Sequence, residues 1–218
     1  MSFESDRDGT NRSAQLRRLF RERQLTEAQS SSLISPDTAS EELDVLLGHV
    51  PVMKLIELAV SLDASFDVQR ALDSMAENSA LTQHDANEIA NSCRRLSDRH
   101  DASSVLKKLE GKADIEHLTI GFALCGDASE LRRCAKMLAD PGEKKRILDL
   151  AANEAHKGLP DDDTLEFLAP YGSVANLLTA WDKIKSQSAI SSFLTDLATR
   201  PDLTPEERNK IREYQSRR

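Results

Sequence analysis

Two histidine–aspartate dipeptides, His84-Asp85 and His100-Asp101, are the residues of this chain best suited by type to do chemistry. Imidazole and carboxylate together hold a divalent cation, and such a cation acidifies a bound water enough to attack a phosphoester. His49 would complete a spaced set of nitrogen and oxygen ligands. The setting speaks against this use. Asp85 follows Thr82 by three residues, the spacing of a helix cap, and both dipeptides sit in polar stretches, whereas metal ligands need a dry, ordered surround. No metal ligand and no cofactor are assigned.

A thiol–base pair is the other option, from His117 and Cys125. Eight residues on one helix are about two turns, roughly 12 Å along the axis, so the two groups cannot touch. The glycines are isolated and read as helix stops, not as a phosphate-cradling loop. Three cysteines, Cys93, Cys125 and Cys134, form no CxxC pair and no even framework, which fits a reducing compartment and a role as small buried hydrophobes. No catalytic residue is assigned, and the chain is expected not to be an enzyme.

Charge is the stronger lead. Arg17, Arg18 and Arg21 crowd one helical stretch, and Arg94, Arg95 and Arg99 crowd another. Asp161, Asp162 and Asp163 form an acidic run, and Asp101 stands two residues beyond Arg99. These ten residues are the candidate partner-binding set: complementary patches that would steer and orient a protein partner, or another copy of the chain. An exposed ion pair contributes only about 0–1 kcal/mol, so such patches orient more than they hold. The net charge of −8 argues against a general nucleic-acid binder, which needs basic residues in excess. No apolar run reaches the ~18–20 residues of a membrane span, and the expectation is a soluble, cytoplasmic protein.

The elements that must position these residues read as helices. Aromatics are only 4% of the chain, so the core rests on Leu, Ile, Val, Ala and Met, and alternating β-branched runs are missing. The fold class is all-α, with about a dozen short antiparallel helices. One phrase recurs along the chain: Leu72-x-x-Met75-x5-Leu81-Thr82-x-x-Asp85-x3-Ile89 matches Leu194-x-x-Leu197-x5-Leu203-Thr204-x-x-Glu207-x3-Ile211. The same frame runs from Leu16 through Leu25-Thr26 to Leu33, and a degraded copy keeps Leu150, Leu159, Asp163 and Phe167 with Pro160 in the threonine's place. Each copy predicts an amphipathic helix, a turn, and a second helix whose Thr side chain caps the backbone N–H of the residue three on. The unequal offsets between copies disfavour a regular solenoid, which needs a fixed period.

Further helices fill the gaps. "IEHLTIGFALCGD" is apolar on most sides, predicts deep burial and ends at Gly126. "SELRRCAKMLADPG" predicts a helix through Leu131, Ala135 and Leu138, closed by Pro141-Gly142, and "SVANLLTAWDKIK" supplies Leu177, Trp181 and Ile184.

The stretch "LDSMAENSALTQHDANEIANSCRRLSDRHDASSVLKKL" resembles the last three helices of a death-fold interaction domain of the death-effector or caspase-recruitment kind. The family's charged RxDL segment is matched by Asp98-Arg99-His100-Asp101, with Ala102 where the family has Leu. A second stretch, from Ile147 to Ile184, is similar in helix lengths and lacks the Arg and Asp of that motif. The resemblance implies two tandem six-helix units, over residues 14–112 and 113–186, after a disordered 1–13 and before a C-terminal helical pair at 187–218. It also implies a non-enzymatic adaptor or scaffold subunit. A structural or chaperone-like subunit is the alternative, with "PVMKLIELAVSL" as its apolar surface, and an HD-type metal phosphohydrolase the remote one.

Overall fold

The computed structural model describes residues 65–77, 81–96, 98–184 and 190–216. The first copy of the recurring phrase, Arg17, Arg18, Arg21, His49 and the apolar stretch at 51–62 lie outside the described residues. Within them the chain is 76% helix with no strand, in ten α-helices. These are α1 (Ser65–Glu77), α2 (Gln83–Ser92), α3 (Arg99–Lys108), α4 (Ile115–Cys125) and α5 (Ala128–Met137). They continue as α6 (Pro141–Glu154), α7 (Asp162–Leu168), α8 (Val174–Trp181), α9 (Ile190–Ala198) and α10 (Pro205–Ser216). Single 3-10 turns at Cys93–Arg95 and Ala155–Lys157 follow α2 and α6. None of the described helices is long and apolar enough to cross a membrane.

Helix α4 is the axis of the array. Its apolar residues occur on nearly every side, so it buries Leu118, Phe122, Ala123, Leu124 and Cys125 and packs against α2, α3, α5 and α6. Each fully buried Leu or Phe contributes about 1.5–3 kcal/mol. The helix stops at Gly126, whose φ of 75° only glycine adopts readily, and the N–H groups of Gly126 and Asp127 both donate to the Phe122 carbonyl. One hydrophobic cluster runs from Leu72 to Ile211 and crosses the α3–α4 turn without a break.

The two full copies of the corner among the described residues fold as the phrase dictates. Leu72, Met75 and Ile89 are fully buried, and the Thr82 hydroxyl accepts from the Asp85 N–H at 3.2 Å. At the other end of the chain Leu194, Leu197, Leu203 and Ile211 are buried, and the Thr204 hydroxyl accepts from the Glu207 N–H at 3.2 Å. Glu207 answers by accepting from the Thr204 N–H at 2.9 Å, which completes a reciprocal capping box. The degraded copy differs. Leu159 is 45% exposed, and the cap moves one residue on, to Asp161, which accepts from the Thr164 N–H at 2.8 Å.

Pro141-Gly142 opens a helix and does not close one, contrary to the expectation from sequence. Helix α5 ends at Met137, and Leu138 is already extended. Asp140 then caps the Glu143 N–H at 2.6 Å with Pro141 in the first turn of α6, where its missing donor costs nothing.

The last two helices dock on α8 and α7. Trp181 and Phe193 stack at 4.3 Å with an interplanar angle of 13°. Arg200, only 9% exposed, donates to the carbonyls of Tyr171 and Gly172 at 3.2 and 2.8 Å and pairs with Asp202 at 2.9 Å. A buried guanidinium needs such a full set of acceptors.

Candidate functional site

Three helices begin at one place. Helix α3 starts from Asp98, α5 from Asp127 and α7 from Asp161, and each carboxylate accepts from its own helix's first turn. Asp98 takes the N–H of His100 at 2.7 Å and of Asp101 at 3.2 Å, while Asp127 takes that of Glu130 at 3.2 Å. A short acidic side chain suits this position twice, as an acceptor for orphan donors and as a charge at the positive end of the helix dipole. The three starts line an open groove of about 760 Å³, together with Arg99, His100, Arg132, Leu159 and Asp163.

Tertiary packing sets the charges of the groove against one another. Arg99, from α3, lies 4.0 Å from the Asp161 carboxylate. Arg132, from α5, donates to the Asp163 carbonyl at 3.4 Å and covers the Phe167 ring at 5.6 Å. The start of α7 is therefore held between guanidinium groups from two other helices. Asp127 is the most engaged acid: burial pushes its pKa up, but Ser103, Ser129, the Glu130 N–H and Lys107 outweigh this and hold it down at about 2. Backbone donors from Asp101 and His100 lower Asp98. Desolvation raises Asp101, with the nearby charges of Asp98 and Asp73 adding to it.

Of the residues singled out in the sequence, the structure brings Arg99, Asp161 and Asp163 to this groove. Arg94 is exposed beside it and lines a small adjoining pocket with Arg99 and Cys93. Arg95 ends the 3-10 turn after α2. Asp101 is half-buried in the first turn of α3, and Asp162 opens α7, accepting from the Asp163 N–H at 3.3 Å. Asp127 and Arg132 lie outside the ten residues that charge marks in the sequence. Gly126-Asp127-x-x-Glu130 is a legible stop and cap, but nothing local says that this cap meets two others.

The groups with chemical promise are spread apart. His84 is exposed on α2, and Asp85 is engaged with Thr82 in the cap. His100 is exposed at the start of α3. Among the described residues no group of three or more His, Cys, Asp or Glu is placed to hold a metal ion. His117 and Cys125 sit at opposite ends of an unbroken α4. Burial pushes the Cys125 thiol up to about 12 and Cys134 to about 11, and raises Cys93 as well. All three are therefore protonated and poorly nucleophilic at neutral pH.

Comparison with family models, with curated proteins and with solved structures finds no match for this chain.

Proposed function

We propose that this protein is a non-enzymatic adaptor or scaffold subunit that docks a protein partner in the groove where α3, α5 and α7 begin. The observation that carries the reading is the convergence of three capped helix starts on one open groove with both signs of charge at its rim. Rigid helix ends fix those charges in place, which gives a partner orientation and register at little entropic cost. Leu159, 45% exposed among them, adds the apolar contact that charges alone lack.

In its sharpest form the reading is an adaptor of tandem death-fold-like units, with Asp98-Arg99-His100-Asp101 at the docking edge. The hydrophobic cluster that continues across residues 112–113 supports the coarser form, one helical array acting as a single body. A chaperone-like role would rest on the apolar stretch at 51–62, which lies outside the described residues; among the described ones Met137 and Leu159 are the large exposed hydrophobics.

The test reverses both signs at the rim without touching a cap. Proteins captured from a lysate of the native source by the immobilised wild-type chain are compared with those captured by an Arg99→Glu/Asp163→Arg variant. Loss of specific partners, with the melting temperature kept within a few degrees, supports the groove. An identical captured set sinks it.

A further inference from the structure

Met137, the last residue of α5, is the more exposed of the two large surface hydrophobics among the described residues, at 61%, and the groove makes no use of it. A single apolar side chain at the surface needs no explanation. Its sulfur does, because the Met137 Sδ accepts from the Arg133 Nη1 at 3.7 Å, one helical turn back. A thioether is a weak acceptor, so a guanidinium nitrogen is poorly used there.

The other nitrogens of Arg133 are fully used. Its Nε donates to Glu130 at 2.5 Å on the same helix, and its Nη2 donates to Glu110, in the turn after α3. Glu130 is itself 3.7 Å from the Lys107 ammonium, which lies 3.3 Å from Asp127. The guanidinium plane is thus held between two carboxylates, and Nη1 faces the sulfur because of them.

Oxidation turns the weak acceptor into a strong one. With a peroxide as oxidant, a sulfur lone pair attacks one peroxide oxygen, the S–O bond forms as the O–O bond breaks, and the departing oxygen leaves as water or an alcohol once it has taken the proton. Sulfur loses two electrons and the peroxide gains them. The sulfoxide oxygen carries partial negative charge, which a cationic N–H bonds far better than it bonds a thioether.

We infer that Met137 is a site of oxidation by a peroxide, with Arg133 as a preset receptor for the sulfoxide oxygen. Met75, fully buried in the core, is shielded from the same reaction. A sulfoxide ordinarily loosens the packing around it. At Met137 it adds one bond to a guanidinium that already ties α5 to the end of α3, so the mark is accommodated.

The full chain, incubated with hydrogen peroxide and followed by peptide mass spectrometry, tests the site. Met137 is expected to gain one oxygen roughly tenfold or more faster than Met75. Equal rates, or a faster Met75, overturn the inference. The receptor is tested by melting oxidised against reduced protein in the wild type, in Met137→Leu and in Arg133→Gln. Met137→Leu gives the contribution of the other methionines, which is subtracted. Each variant is compared with its own reduced form, so the ion pairs lost with Arg133 cancel. Oxidation of Met137 is expected to leave the wild-type melting temperature unchanged or raised, and to lower that of Arg133→Gln by about 1–2 °C. The same shift in both proteins overturns Arg133 as the receptor.

Discussion

The corner at Leu194–Ile211 and the stretch at Leu150–Phe167 share apolar residues at three places of the frame, with Asn153 where Leu197 stands, yet only the first turns the leucine before its second helix inward. Leu203 is 7% exposed; Leu159, its counterpart, is 45% exposed. The difference lies in the residues between them. The intact corner enters its second helix through Thr204 and Pro205, which cap and start it. The other has Gly158 and Pro160, and its chain is pulled onto the end of α4 by a 2.7 Å hydrogen bond from the Leu159 N–H to the Leu124 carbonyl. Similar leucines thus do different jobs: one closes a corner, and the other is left at a groove's rim by a backbone contact that outweighs its own burial.

Removing what is peculiar to the degraded stretch has the largest expected effect. A Cβ at Gly158 would stand 2.2 Å from the Leu124 carbonyl oxygen and 2.8 Å from its carbonyl carbon, inside a buried helix that cannot yield. Gly158→Ala is expected to cost about 3 kcal/mol or more in urea unfolding. Loss of less than ~1 kcal/mol would mean that this contact does not define the stretch. Next comes the leucine pair itself. Leu203→Ala is expected to cost about 2–3 kcal/mol and Leu159→Ala less than ~0.5 kcal/mol, measured side by side.

The cap comes third. Thr204→Ala is expected to cost about 1 kcal/mol. Its partner Glu207 titrates below the ordinary carboxylate range because the Thr204 N–H and hydroxyl both bond the charged form. That contribution is full above the unfolded pKa and is lost as pH falls through the folded one. Glu207→Gln is therefore expected to cost up to ~0.5 kcal/mol at pH 7, after allowance for solvent screening, and progressively less as the pH falls below the ordinary carboxylate range. The smallest effect concerns the two intact corners. At 82–85 the shorter Asp85 accepts from the Thr82 hydroxyl at 2.6 Å, whereas Glu207 also reaches the backbone N–H of its threonine. Asp85→Glu is expected to gain about 0.3 kcal/mol by closing that box, seen as a small rise in melting temperature.

Much of this architecture was legible because it is local. Thr82 and Thr204 cap where their spacing says, Gly126 ends a helix that is apolar all round, and Leu72, Met75, Leu194 and Leu197 face inward together. Pro141 is ambiguous for a local reason too: a proline between two apolar segments is both a stop for one helix and a start for the next, and Asp140 decides in favour of the start. The groove was only half legible. Arg99 and Asp161 were singled out for their charge, but their meeting depends on how α3 and α7 both pack around the end of α4, which no spacing within either segment encodes. Asp127 and Arg132 were invisible as site residues for the same reason.

The stacked pair Trp181 and Phe193 has an optical consequence. The chain has one tryptophan, and it is fully enclosed at the seam where the last two helices meet the rest. Its emission should be blue and hard to quench while the seam is shut, and should shift to the red when those helices lift away. The protein thus carries its own gauge of whether its C-terminal end is seated, readable in solution without any added label.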